Sequence, residues 1–333
     1  MTKDMSALRP HGLVVAEAGG LSERFRRFAA VVVLVITVIG GAVAFGSSFA
    51  SFRNFSSLAV AASFLAIIAI GMTFVIISGG IDLSVGSMLA LSAVLTAYAA
   101  RWGSGAAALV PLLVCSGIGM IQGLLVGRAR MAPFIVTLAG LLFARGLAFK
   151  VSDNGNVTHL IPPGTGIIEL GQGTVLGIGY PAWFVVPVFL GGLVLLNRTR
   201  FGQTVFALGG SEEAAQLMGL PVVRTKVLLY TMMGFLAGLA GMLVAARSSS
   251  GLSTIGTGLE LDAIAAVVIG GTLLTGGSGG LTGTVAGVLL LGVIQNLINQ
   301  VGTLSSYYQQ VVSGIFLIIV IAVQRLLESR AEE

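Results

Sequence analysis

Apolar residues in this chain come in long runs with few polar interruptions, and the runs return at short intervals from one end to the other. Phe28 to Phe45 (FAAVVVLVITVIGGAVAF) contains no charge, and it approaches the ~20 residues that carry a helix across a bilayer. Further runs predict spans at 58–78, 84–100, 106–127, 134–150, 182–197, 226–246, 261–275, 282–300 and 308–324, which makes about ten. None alternates apolar and polar residues with the period of two that a membrane strand needs. The pattern predicts an all-α membrane protein.

Between the runs, two stretches differ in kind. Residues 151–181 carry Asn154, Asn156, Pro162, Pro163 and several glycines, which reads as an ordered or semi-ordered external loop. Residues 198–226 contain a short amphipathic helix after a Gly209-Gly210 turn. Ser211 is its N-cap, Glu212 and Glu213 fill its first turn, and it stops at Gly219 with Pro221 beyond. The remaining division is a tail over 1–27, a membrane region over 28–325 and a tail over 326–333.

Composition sharpens the picture. Hydrophobic residues make up 56% of the chain and charged residues 9%, against about 25% charged in a soluble domain. Hydrocarbon requires every backbone polar group to be satisfied within its own segment, as helices do. Charge then gives orientation, because Lys and Arg collect in cytoplasmic loops. With the N-terminus inside, the inner segments hold Lys3, Arg9, Arg24, Arg26, Arg27, Arg128, Arg130, Arg198, Arg200, Arg224, Lys226, Arg325 and Arg330. The outer ones hold Arg53, Arg101, Lys150 and Arg247, and Arg145 falls inside a span. Both termini are expected in the cytoplasm. The first 20 residues lack the apolar core of a signal peptide. Positive charge is divided among separate short loops, so no basic face for nucleic acid forms.

Ten spans with an odd number in each half would let a five-plus-five duplication place its second copy upside down. Two parallels fit that scheme: Asp82 lies between spans two and three and Asp262 between spans seven and eight, corresponding places in the two halves, and Gly119-Met-Ile-Gln122 resembles Gly292-Val-Ile-Gln295. Chance matching in apolar sequence is the alternative.

Few residues can carry chemistry. Asp82 sits in Ser78-Gly-Gly-Ile-Asp82-Leu-Ser84, where paired glycines interrupt one helix and Asp or Ser can cap the next. The break can bind hydroxyls along a pathway, or Asp82 can simply cap. Asp262, with Glu260, starts a span and suits either a helix dipole or a substrate contact. Gln122, Gln295, Asn296 and Asn299 can bond sugar hydroxyls or hold membrane helices together. Arg145 reads as a snorkelling or paired residue. Cys115 is a lone cysteine and His11 and His159 are the two histidines, so neither a disulfide nor a metal site is expected. The Gly276–Gly280 run lacks a Gly-Lys-Ser/Thr ending and reads as a tight turn, so this chain is not expected to hydrolyse ATP. No catalytic set can be assembled.

The stretch Gly71 to Ser87 (GMTFVIISGGIDLSVGS) resembles the ribose, xylose and galactofuranose branch of ABC importer permeases. Gly209 to Gly219 (GGSEEAAQLMG) and Gly258 to Gly277 are similar to the same branch. The Leu259–Asp262 start and Gly302–Ser306, followed by Tyr307 and Tyr308, most resemble the smaller permease of the galactofuranose importer. The resemblance implies a bacterial inner-membrane permease for a monosaccharide. Its partners would be ATP-binding subunits that hold ATP and Mg, a second and non-identical permease, and a periplasmic sugar-binding protein. It gives Ser211, Glu212, Glu213, Ala214, Ala215 and Gly219 the role of coupling to the ATPase. It leaves Ser78, Asp82, Ser84, Gln122, Asp262, Gln295 and Asn296 as candidates for the path. An ion-coupled secondary transporter, a membrane enzyme acting on lipid-linked sugars and a structural scaffold are the other readings.

Overall fold

A computed structural model of the protein describes residues 14–302, together with 308, 311, 314, 315 and 318. The expected span 308–324, residues 1–13 of the expected tail 1–27 and the tail 326–333 lie outside the continuously described residues.

The chain forms helices α1 (Val14–Phe45), α2 (Phe52–Ile77), α3 (Val85–Ala99), α4 (Ser104–Gly127) and α5 (Pro133–Val151). A short β1 (His159–Leu160), α6 (Ile167–Gln172) and the pair β2 (Thr174–Val175) and β3 (Ile178–Gly179) follow. Next come α7 (Tyr180–Arg198), α8 (Arg200–Gly210), α9 (Glu212–Leu217), α10 (Val222–Ser248), β4 (Ser250–Gly251), α11 (Leu259–Ile269) and α12 (Leu281–Val301). Among the described residues, seven helices are long and apolar enough to cross a membrane: α1, α2, α4, α5, α7, α10 and α12.

Two expected spans are short. α3 has 15 residues and α11 has 11, so at 1.5 Å per residue they reach about 22 and 16 Å, less than the ~30 Å hydrocarbon core. Each is preceded by non-helical chain, residues 78–84 before α3 and 249–258 before α11. The second stretch runs beside α3, with Gly251 against Ala93 to Ala97 and Gly256 against Gly86. Such backbone is tolerated at membrane depth only inside protein. α3 supplies that cover: 13 of its 15 residues are buried, and its apolar residues face all directions, as a core helix requires.

The two halves share a plan of long helix, break, short helix, long helix: α2, α3 and α4 in one, α10, α11 and α12 in the other. α10 runs antiparallel to α2, since Gly71 lies against Met233 and Leu236 whereas Gly80 lies against Tyr230. α12 also runs antiparallel to α2, Ala62 lying against Gly292 and Thr73 bonding Thr284 at 2.8 Å. The second triple is therefore inverted relative to the first.

Small residues allow a close crossing of α4 on α10. A Cβ at Gly119 would run into the Tyr230 carbonyl, and one at Gly234 into that of Cys115. Small-residue spacing of this kind brings membrane helices into backbone contact. In the segment read as external, β1 pairs with β4 and α6 packs on α10, so it is ordered. One local expectation is corrected: Gly209 and Gly210 form no turn but the last residues of α8. The bend falls at Ser211, whose backbone is extended.

Candidate translocation site

The non-helical chain before α11 opens a cavity of about 460 Å³ between α2, α3, α10, α11 and α12. Asp262, Gln295 and Asn296 line it, with Ser57 and Asn299. The rest of its wall is mostly aliphatic, with Phe64 and Leu65 from α2 and Val288 from α12. Its volume is that of a small-molecule site, in which an apolar lining carries a few placed polar groups.

These residues are not equivalent. The Asn296 amide exchanges two hydrogen bonds with Asn54, at 2.9 and 3.1 Å, which joins α12 to the start of α2 and commits much of its capacity. Asn54 escaped the sequence reading because nothing in its local pattern signals a partner 242 positions away. Arg145, which the sequence marks as snorkelling or paired, is paired. Its Nη1 donates to the carbonyls of Ser253 and Ile255 at 2.7 and 2.9 Å. It therefore holds in place the turn-rich chain whose Ile255 and Gly256 line the cavity.

Asp82, Ser84 and Gln122 lie elsewhere. Asp82 is fully buried, and its Oδ1 accepts from the Ser84 amide at 2.8 Å and the Ser84 hydroxyl at 2.6 Å. Asp82 thus folds the break on itself, while Ser84 occupies the N-cap position of α3 without a side-chain cap bond. Gln122 packs on Gly140 close to Ser84. Asp82 Oδ2, both amide atoms of Gln122 and the Tyr230 hydroxyl are buried with no hydrogen-bond partner among the described residues. This polar layer is separate from the cavity around Asp262. The second break instead touches the first turn of α3: a Cβ at Gly86 would strike the Gly256 carbonyl and the Glu260 carboxylate.

Ser78 belongs to a third place, a cleft of about 450 Å³ that it lines with Tyr230, Lys226, Glu212 and Glu213. The short helix α9 forms one edge. Ser211 Oγ accepts from the Ala214 amide at 3.2 Å, as an N-cap does. Gly219 has φ +74, and the Leu220 amide returns to the Ala215 carbonyl, a left-handed helix stop. Ala215 is buried. Glu212 is paired with Lys226 at 2.6 Å, so it fastens α9 to α10, whereas Glu213 is exposed. Leu217 and Met218 are also exposed, at 91% and 65%.

Comparison with known proteins adds to this geometry. Residues 54–321 match a family described as the permease component of branched-chain amino acid transport systems. A ribose import permease of Bacillus subtilis is 41% identical over 310 residues, 92% of this chain and 94% of that protein. An inner membrane ABC transporter permease of Escherichia coli is 42% identical over 284 residues, 83% of this chain and 85% of the other. A fructose import permease of Bifidobacterium longum is 37% identical over 308 residues, 89% of each chain. No solved structure matches.

Proposed function

The chain belongs to the family of permease components of branched-chain amino acid transport systems, and on that premise we propose that it forms the path of an ATP-driven importer for a monosaccharide. It does so in a bacterial inner membrane, with both termini and α9 in the cytoplasm. The carrying observation is a cavity lined by a carboxylate and amides between interrupted helices, in a chain that also presents a capped, exposed helix at another cleft.

The family description speaks of amino acids, but the lining favours a sugar. The described residues of the lining offer Asp262, serine and amides but no Lys or Arg, so an amino acid's carboxylate would find no side-chain counter-ion there. Amides and a carboxylate instead give the mixed donors and acceptors that hydroxyls require. The names of the ribose, fructose and L-arabinose permease relatives support the same choice. Among sugars, the likeness of Leu259–Asp262 and Gly302–Ser306 to the smaller galactofuranose permease favours a galactofuranose-type ring, with ribose or xylose types next.

ATP and Mg are held by a separate ATP-binding subunit, which grips α9 from the cytoplasm. Ser211 and Gly219 fix the ends of α9, Ala215 seats it and Glu212 anchors it, leaving Glu213 to face the ATPase. Closing the ATPase dimer moves α9, and the interrupted helices convert this into alternating exposure of the sugar. A periplasmic binding protein delivers the sugar, and a second, non-identical permease completes the path.

Purification of the tagged chain from its native membrane tests the whole reading. An ATP-binding subunit and a second permease should accompany it, with hydrolysis stimulated by binding protein loaded with one of the candidate sugars. A chain that purifies alone and moves solute without ATP would overturn it. Within the complex, Glu213→Lys should abolish transport and leave assembly intact; normal uptake would remove the coupling role.

A further inference from the structure

Three stretches of chain, distant in sequence, cross with only backbone between them. The last turn of α8 sets Gly209 against the end of α2 and the α11–α12 loop, where a Cβ would run into the Ile77 carbonyl oxygen and the Gly277 amide nitrogen. The Gly277 N–H donates to that same Ile77 carbonyl at 2.8 Å. Gly276, at φ +87, would place a Cβ 3.0 Å from backbone atoms of Gly79 and 3.1 Å from Gly209 Cα. Gly276, Gly277 and Gly79 all have positive φ, a conformation glycine adopts without steric cost.

What each stretch leads to gives the crossing its meaning. Gly209 is two residues from Ser211, the N-cap of α9, and the Ser211 amide still bonds back to the Ala207 carbonyl at 3.0 Å. α8 and α9 are therefore joined with almost no intervening chain. Ile77 and Gly79 open the break that holds Asp82. Gly277 lies in the loop between α11, which carries Asp262, and α12, which carries Gln295. Side chains in contact can absorb a displacement by changing rotamer, whereas packed backbone atoms have no such slack.

We propose that the crossing of Gly209 with Ile77–Gly79 and Gly276–Gly277 is the joint that passes movement of α9 to both interrupted helix pairs. It rests on the reading of α9 as the ATPase contact. The glycines position moving parts and touch no sugar. One displacement at α9 then acts on the Asp82 break and the Asp262 cavity together, without a separate linkage for each.

Gly209→Ala should separate hydrolysis from transport in the complete importer reconstituted in proteoliposomes. Assembly and unstimulated ATPase activity should persist, with sugar moved per ATP reduced about tenfold or more. Gly210→Ala is the matched control, because a Cβ there meets nothing within 4 Å, and it should transport as wild type does. Unreduced transport per ATP in Gly209→Ala, or an equal loss in Gly210→Ala, would overturn the joint. Should Gly209→Ala fail to assemble, amide exchange in the wild-type complex decides. ATP should change exchange at α9, at Gly277 and over 79–84 together. A change confined to α9 would overturn the joint and leave the coupling helix standing; none at α9 would remove the premise and the joint with it.

Discussion

At the residue scale, side chains that set the shape of the site differ from those that line it. Arg145 reaches neither α11 nor α12 by hydrogen bond, yet its guanidinium fixes the carbonyls of Ser253 and Ile255. Arg145→Ala leaves both carbonyls to find other partners, and an unmet buried polar group costs about 1–3 kcal/mol. The expected outcome is a loosened cavity wall and a rise of roughly tenfold in KM for uptake, with the complex still assembled. Radiolabelled sugar uptake over a concentration series checks this. Asp262→Asn keeps size and hydrogen-bonding capacity but loses charge; if the carboxylate grips a hydroxyl, affinity falls several-fold, since hydrogen bonds to charged groups are the stronger ones. Asp82 is of another kind. Asp82→Ala removes two bonds to Ser84, worth about 1 kcal/mol each. It should lower the thermal midpoint in detergent, whereas Asp82→Asn, which retains an acceptor, should lower it less.

At the element scale, the interrupted helices are the functional units. Short α3 and α11 leave backbone at membrane depth that only surrounding protein can satisfy, so their breaks persist because α2, α4, α10 and α12 enclose them. α3 meets the second break just as closely, Gly86 lying against Gly256. Gly86→Ala puts a methyl group into the Gly256 carbonyl and the Glu260 carboxylate, and should reduce uptake strongly even where the subunit still inserts. Uptake measured alongside the amount of protein in the membrane separates the two effects. α9 depends on its ends. Six residues are too few to hold a helix without capping, so Ser211→Ala, a loss of ~1 kcal/mol, should weaken coupling and leave the membrane helices unaffected.

On the scale of the whole molecule, the inverted triples place one break on each side of a shared centre, which suits alternation between two openings. The energy source is then the decisive property. Uptake should continue when a protonophore collapses ion gradients with ATP maintained, and stop when an ATPase inhibitor is added. The reverse result would favour an ion-coupled carrier using Asp82 or Asp262.

Much of this was legible in the sequence, for identifiable reasons. Burying apolar runs free of charge has one solution in hydrocarbon, so Phe28–Phe45 and its successors specify helices by composition. The caps of α9 were legible because Ser211, Glu212, Glu213 and Gly219 act within one turn of the chain. The Asp82 break announced itself through Gly79 and Gly80, and Asp262 was legible as an acid in the first turn of a helix. What separates Asp82 from the Asp262 cavity, commits Asn296 to Asn54, makes Arg145 a support for residues 253–255 and brings Gly209 onto Ile77 and Gly277 is contact between residues far apart in sequence. Periodicity and capping report what a residue does to its neighbours within a turn. Helix crossings and backbone approach are settled only when the whole bundle packs, and that is where this protein's sites are made.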